Sequence, residues 1–310
     1  MRTLPPAGLL LDVDGPIASP ETRRVPEGIL TALVQLAGRG IPVVFNTGRS
    51  ADFILKQLAA PLLAAGLPAD ARFHAVCEKG AVRFSFASFA GNQAHDGGLP
   101  PATRGTSVPG WVDVDAGMRL PADLESRLTG LLEDYTDTMF HDDTKLAMFS
   151  AEMNVGEDPD RYREAQSRFE SEVSDLLTAS GAEAEDGGEF QLDSTIISSD
   201  VEHASSGKDL GAARGWERVA ADGELPVQWF TCGDSRTDYA MADWLHARGD
   251  RVTHVDVRHE DGVPETPYPV LTGEDLAVRG YGRPEARHEE AGQALLEWVL
   301  NTLGSPESTM

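Results

Sequence analysis

Apolar positions along the first 80 residues follow two alternating patterns. Residues 7–13 form an apolar run that ends in acid and glycine, as a buried parallel strand does. Pro26 then opens a helical period (Ile29, Leu30, Leu33, Val34, Leu36, Ala37) that closes at Gly40. Residues 41–45 give a second buried strand. Ser50 can cap a helix over 51–65, and residues 73–77 give a third strand. Strand and helix alternating at this spacing predict right-handed βαβ units and a parallel sheet. The alternation returns after Ser206, with helix 207–216, strand 227–231, helix 237–247, strand 252–257 and a last amphipathic helix over 285–303.

The middle of the chain reads differently. Residues 88–110 are rich in Gly, Pro, Ser and Asn and predict a loop flanked by Phe86, Phe89 and Trp111. Two long polar helices follow, near 121–136 and 158–179, with short strand-like runs at 146–150 and 190–198. Helices mixed with antiparallel strands, set between two halves of a parallel sheet, predict an α+β domain inserted into an α/β core. The expected division is a core of 1–81 and 204–310 with an insert of 82–203.

Charge and cysteine content narrow the functional classes. The 310 residues carry 26 Lys and Arg against 51 Asp and Glu, a formal net charge of −25. A field of that sign repels phosphate backbones and anionic lipid, so nucleic acid and membrane are excluded as expected partners. No run nears the about 20 apolar residues of a membrane span. The first residues also lack the charged region, apolar core and cleavage site of a secretion signal. Cys77 and Cys232 each end an apolar run and read as small buried hydrophobes in a reduced protein. The expectation is a cytoplasmic protein, monomeric by default with a dimer left open.

Four short segments carry chemistry, each at a strand end or a helix start, where the ligand crevice of such a sheet lies. Asp12 and Asp14 leave the first strand on the same side. In a crowded pair one carboxylate can attack phosphorus while its neighbour moves protons. In the turn Phe-Asn-Thr-Gly-Arg (45–49), Thr47 and the Gly48 N–H can hold phosphate oxygens, and Arg49 adds a fork of donors. Lys208, one of four lysines in the chain, stands in the first turn of a helix, where the dipole disfavours a cation unless phosphate or aspartates lie beside it. Asp234 and Asp238 follow an apolar strand on one helix face. Three or four carboxylates meeting in one crevice require a cation, and hard oxygen ligands suit Mg²⁺.

The ordered set Asp-Val-Asp-Gly (12–15), Thr-Gly (47–48), Lys208 and Gly-Asp-Ser-Arg-Thr-Asp (233–238) resembles the haloacid dehalogenase (HAD) superfamily. The resemblance implies a Rossmann-like parallel-sheet core and gives each residue a role. Asp12 would be the nucleophile and Asp14 the general acid/base. Thr47, Gly48 and Lys208 would hold the phosphoryl group. Asp12 and Asp234 would bind Mg²⁺, Asp14 would give it a backbone carbonyl, and Asp238 would support them. Pro16 stands where the family usually has threonine, and Thr237 where many members have asparagine.

Only 33 residues separate Asp14 from Thr47, whereas 161 separate Thr47 from Lys208. The insert therefore occupies the position of the cap in C2-capped members. Glu-Lys-Gly-Ala (78–81) and Ile-Ser-Ser-Asp-Val-Glu (197–202) resemble the two hinges of that branch, with Lys79 in place of asparagine. A second acid at Asp14 favours phosphoryl transfer over dehalogenation, since a leaving alkoxide needs a proton and a halide does not. The expected activity is a sugar-phosphate phosphatase acting on a small phosphorylated metabolite. Its rivals are a phosphomutase of the phosphomannomutase type and a non-catalytic sugar-phosphate binder. The candidates for substrate contact are Arg49 and Lys79 near the hinge, and Lys145, Glu152 and Asn154 on or beside a strand-like segment of the insert that His141 precedes.

Overall fold

Strands β1 (Gly8–Leu11), β2 (Val43–Asn46) and β3 (Phe73–Cys77) are buried at every position, which explains why their sequences are apolar apart from Asn46 and His74. The computed structural model describes residues 5–96, 109–258 and 262–302. Helix α1 (Glu27–Gly38) turns Ile29, Leu33, Leu36 and Ala37 of the expected set inward, together with Ala32, while Leu30 and Val34 are only half-buried. The helix expected over 51–65 is α2 (Ala51–Ile54) and α3 (Ala60–Ala64) joined by a π-helical stretch, Leu55–Ala59. Pro61 cannot donate a backbone hydrogen bond, and the wider turn ahead of it absorbs that loss. Ser50 caps α2 by accepting from the Phe53 N–H at 3.2 Å.

Residues 82–96, placed in the insert by the sequence, lie with the core strands. Strand β4 (Val82–Ser85) pairs antiparallel with β3, and helix α4 (Phe86–Asp96) follows it. The loop expected over 88–110 therefore begins with helix, and residues 97–108 fall outside the described set. Two local features outweigh the loop-like composition. The Ser88 N–H donates to Ser85 Oγ at 3.0 Å, closing the first turn. Phe86 and Phe89, three positions apart, are both buried, and Phe86 stacks on Phe45 at 5.5 Å and on Phe84 at 5.8 Å.

The described chain divides into two units, one of residues 5–96, 109–112 and 207–302, the other of 113–206. The second unit holds β5 (Asp113–Val114), α5 (Ala122–Leu132), β6 (Met139–His141), β7 (Phe149–Met153), α6 (Pro159–Ser180), β8 (Phe190–Ser194) and β9 (Ser198–His203). Four of its strands form an antiparallel sheet in the order β6-β7-β9-β8. Phe149, Ala151, Phe190 and Val201 face Leu124, Leu128, Phe169 and Val173 of the helices, giving this unit its own core. Helix α6 begins with Asp158 accepting from two backbone N–H groups ahead of Pro159, and ends at Gly181.

The chain returns to the first unit through α7 (Lys208–Asp222), β10 (Trp229–Gly233), α8 (Tyr239–Ala247), β11 (Val252–Asp256), β12 (Val270–Thr272), α9 (Gly273–Val278) and α10 (His288–Thr302). Within this unit the strands run β12-β11-β10-β1-β2-β3-β4, all parallel except the last pairing. The order reverses at β1, which lies between β2 and β10. Such a reversal opens a crevice at the carboxyl ends of the strands. β12 and α9 have no counterpart among the expected elements.

One buried pair in this sheet makes stability depend on pH. His254 of β11 is fully buried, hydrogen-bonds Thr231 of β10 at 2.8 Å and lies 4.1 Å from the Tyr239 ring. Burial lowers its pKa from 6.5 to about 4, against the opposing charges of Asp238 and Asp256. The unfolded chain binds this proton first, so the contribution is complete above pH 6.5 and is lost as pH falls toward 4. Between pH 7 and 5, His254 alone should remove about 2 kcal/mol of stability. Urea denaturation at the two pH values checks this, and His254→Gln should flatten the difference by about that amount.

Candidate active site

The crevice at the ends of β1, β2 and β10 collects the acidic and basic residues that the sequence singled out. Asp12 directly follows β1, its N–H donating to Cys232 O at 2.8 Å, which seats it beside β10. Its Oδ1 accepts from the Val13 N–H at 2.7 Å. Lys208, the first residue of α7, places Nζ 2.8 Å from Asp12 Oδ1 and 2.6 Å from Asp238 Oδ1. Asn46 at the end of β2 holds this lysine at both ends. Its carbonyl accepts from Nζ at 3.1 Å, and its side-chain amide donates to Lys208 O at 2.8 Å. Helix α7 comes this close because Gly211 has no side chain, since a Cβ there would lie 1.9 Å from Asn46 Oδ1.

Asp238 is fully buried, and its Oδ2 accepts from the backbone N–H groups of Asp234 and Ser235 and from Ser235 Oγ, at 3.1, 3.0 and 2.7 Å. Burial by itself would raise its pKa, but the Lys208 ammonium and these donors outweigh it and hold the carboxyl below its ordinary range. Asp12 moves the other way. Burial pushes it well up, the charges of Asp238 and Asp14 add to that, and Lys208 opposes. Asp234 is raised by burial and by Asp238. Lys208 keeps its proton despite burial because two carboxylates flank it. The oxygens of Asp12, Asp234 and Asp238 lie within 4.8 Å of one another, close enough to share one ion. Gly15, at φ +88°, makes room for this group, because a Cβ there would sit 2.8 Å from Asp234 Cγ.

The Asp14 side chain has a separate partner. Its carboxylate stands outside the three-membered group and is gripped by Arg49, with Nε to Oδ2 at 2.9 Å and Nη2 to Oδ1 at 3.0 Å. The spacing that aims two strand residues to one side ends here, because the chain turns at Gly15, whose N–H donates to Ala18 O at 3.0 Å. Arg49, expected as a donor for substrate, is thus committed to a carboxylate of its own chain.

The remaining candidates in the first unit form one hydrogen-bonded set of turns. Thr47 is fully buried, and its Oγ1 accepts from the Arg49 N–H at 3.1 Å. The Lys79 N–H donates to Thr47 O and the Glu78 N–H to Arg49 O, both at 3.1 Å. The Gly207 N–H donates to Lys79 O at 2.9 Å, which links this turn to the start of α7. Gly48 lies beside Lys79, whose Cε would be 3.7 Å from an added Cβ. Glu78 and Lys79 both hold positive φ, at 48° and 50°.

Lys145, Glu152 and Asn154 belong to the second unit. Lys145 and Glu152 are buried, and Glu152 lies on β7 opposite Phe140 and Ser198, on the other sheet face from Ala151. Asn154 ties the end of β7 to the segment ahead of β6, donating through Nδ2 to Thr136 O at 3.1 Å. His141 stacks on Phe149 at 4.6 Å.

Three contributors were missed by the sequence reading. Asn46 had a signal, as a polar residue ending an otherwise apolar strand. Ser235 had one too, because Ser at 235 with Asp at 238 is a capping-box spacing. His288 had none. Its Nδ1 comes within 3.6 Å of Asp234 Oδ2 from the far end of the chain, at a residue whose φ is +46°.

No protein-family model matches the sequence, and no curated protein does. Solved structures do match by fold. The chain is similar to the C-terminal domain of a C. albicans trehalose-6-phosphate phosphatase, at 13% identity over 96% of this chain and 93% of that one, with a TM-score of 0.62. It is similar to a haloacid dehalogenase-like hydrolase from Bacteroides thetaiotaomicron, at 12% identity over 82% and 90%, TM-score 0.54. A phosphatase of the HAD enzyme superfamily from the same organism matches at 15% identity over 97% and 96%, TM-score 0.51. The fold is that of the HAD superfamily, a Rossmann-like core with an α+β unit inserted ahead of α7. Among the described residues no helix is long and apolar enough to cross a membrane.

Lys208 stands between two buried carboxylates, so its removal should be felt by the fold as well as by the site. Lys208→Met should lower unfolding free energy by about 3 kcal/mol, by leaving Asp12 and Asp238 unpaired. Mg²⁺ should restore part of that loss in the variant. Urea denaturation with and without Mg²⁺ is the check. An unchanged midpoint would show that the lysine is not the counter-charge described.

Proposed function

We propose that the chain is a Mg²⁺-dependent phosphatase that hydrolyses a small phosphate monoester, a sugar phosphate by preference, through an aspartyl-phosphate. The observation that carries this is the meeting of Asp12, Asp234 and Asp238 around one point with Lys208 against them, at the strand ends where the sheet order reverses. The residues fit a hard divalent cation. Three carboxylates lie within 4.8 Å of one another, a set of hard oxygen donors. Asp12 and Asp234 would hold the ion, Asp238 would support them, and the main chain at Asp14 would complete the protein's share. When bound, Mg²⁺ would offset charge on the phosphoryl oxygens and orient them toward the nucleophile.

The remaining chemistry is assigned to side chains. Asp12 attacks phosphorus in line, forming a carboxylate–phosphorus bond as the ester P–O bond breaks. Asp14 gives a proton to the departing alkoxide, then takes one from the water that attacks the aspartyl-phosphate, so each cycle leaves it unchanged. Lys208, Thr47 and the Gly48 N–H hold the phosphoryl oxygens, where preorganised donors act most strongly. On the same reading the second unit is a cap domain that chooses the organic part of the ester, with Lys145 and Glu152 its foremost candidates and Lys79 a contributor at the hinge.

Magnesium-dependent release of phosphate from p-nitrophenyl phosphate, followed by a screen of phosphorylated metabolites, tests the proposal. Asp12→Asn should reduce turnover to background. Asp14→Asn should reduce it by about 10²–10⁴-fold on alkyl esters. Chelation should abolish activity, and Mg²⁺ should restore it. Isomerised sugar phosphate without free phosphate would assign the chain to the phosphomutases, and inactivity on the whole panel would leave a sugar-phosphate binder.

A further inference from the structure

His288 stands out in both backbone and side chain. It opens α10 with φ at +46°, a left-handed conformation that costs a non-glycine residue free energy and persists only where its surroundings impose it. Its Nδ1 is shut off from solvent and has no hydrogen-bond partner among the described residues. A polar nitrogen enclosed in this way is costly unless a partner lies within reach. Asp234 Oδ2 faces it at 3.6 Å, about 0.5 Å beyond a hydrogen bond, and site hydrogen bonds often lie this long before they tighten.

The position is imposed from two sides. The His288 N–H donates to Val257 O and the Val257 N–H to Gly233 O, both at 3.0 Å, so the start of α10 is tied through the end of β11 to the residue ahead of Asp234. One turn further, on the same face of the helix, Gly292 lies so close to Pro16 that a Cβ would come 1.8 Å from its carbonyl oxygen. Pro16 in turn follows Gly15, whose missing side chain admits the Asp234 carboxylate. Helix α10 is thus fixed against the turn after Asp12 and against the strand end that bears Asp234. Packing alone would account for the backbone, but not for an imidazole nitrogen left facing a carboxylate. We propose that His288 is a positioning residue, which donates through Nδ1 to Asp234 and fixes that carboxylate in the orientation a divalent ion requires. Outer hydrogen bonds of this kind orient a metal's ligands and raise its affinity. This inference rests on the ion site formed by Asp12, Asp234 and Asp238, and not on the reaction assigned to it.

Mn²⁺, titrated calorimetrically against the full chain, is the probe. Asparagine tolerates positive φ and carries its amide nitrogen where the imidazole carries Nδ1, so His288→Asn keeps both the backbone and the donor. His288→Gly suits the same backbone and removes the donor, and any difference between the two variants therefore belongs to the side chain. His288→Gly should bind Mn²⁺ about tenfold more weakly than wild type, and His288→Asn within about threefold of it. His288→Ala, which also lacks the donor, stands in if the glycine variant does not fold. Equal affinities for His288→Gly and His288→Asn, or no weakening in His288→Gly, would overturn the proposal. Binding in an Asp234→Asn background is weak and is followed by the free-ion signal in electron paramagnetic resonance. There the glycine substitution should change affinity by no more than about twofold. An undiminished loss in that background would show that His288 acts on the ion by a route other than Asp234, and would overturn the proposal as well.

The activity arm reads phosphate release from p-nitrophenyl phosphate as a function of Mg²⁺. His288→Gly should raise the Mg²⁺ concentration for half-maximal rate by about tenfold, while kcat at saturating Mg²⁺ and the KM for the ester stay near wild type. A loss that saturating Mg²⁺ leaves in place would assign His288 to the substrate and overturn its role through Asp234. Wild type that binds Mn²⁺ but hydrolyses no ester would end the phosphatase reading alone, since the Mn²⁺ titrations still decide the role of His288. Wild type that binds no Mn²⁺ would overturn the ion site and this proposal together.

Discussion

The ammonium of Lys208, wedged between Asp12 and Asp238, is the contact on which both fold and site depend. Its three members come from a strand end, a helix start and a short turn, the first far in sequence from the other two. They meet only because β1 lies between β2 and β10 in the sheet. A lysine in the first turn of a helix is disfavoured by the dipole, and two carboxylates more than offset that penalty. Asn46 fixes the lysine from both ends, and Gly211 lets α7 approach closely enough for it to do so. Disturbing any one of these residues therefore disturbs the packing of α7 on β2 and the charge balance of the crevice together.

That balance explains why the carboxylates behave differently although they crowd one space. Asp238 has a donor for each lone-pair direction it uses, three on Oδ2 and the lysine on Oδ1, so it stays ionised when fully buried. Asp12 and Asp234 have fewer donors and share their surroundings with Asp238, so burial raises both. With Asp14, the crevice holds four carboxylates against Lys208 and Arg49. When all are ionised, two negative charges remain, which is the charge of one divalent cation.

The parts of this arrangement visible in the sequence are those governed by short-range pattern. Strand β3 is found where its apolar run lies, α1 where its period and flanking Pro26 and Gly40 set it, and the acidic turns at strand ends follow from the βαβ register. What escaped depends on contacts between distant segments. Helix α4 looked like loop by composition because Phe86 gains its stabilisation against Phe45, Phe73 and Phe84, and Phe89 against Trp111. The site shows the same division. Asp12, Lys208, Asp234 and Asp238 could be named from their positions at strand ends and helix starts. The turn of Asp14 toward Arg49 could not, because it depends on a positive φ at Gly15 and on a fork fixed against Phe53.

The glycine at 15 links these points. With φ at +88° it sets the direction in which the chain leaves Asp14, and having no Cβ it admits the Asp234 carboxylate from β10. A larger residue would have to adopt a backbone conformation that L side chains rarely take and would also meet Asp234 Cγ at 2.8 Å. The one position therefore separates Asp14 from the carboxylate group and completes that group with Asp234. Two acids that a regular strand would aim into one crevice are in this way given different partners, Asp12 a lysine beside the ion-binding oxygens and Asp14 an arginine outside them.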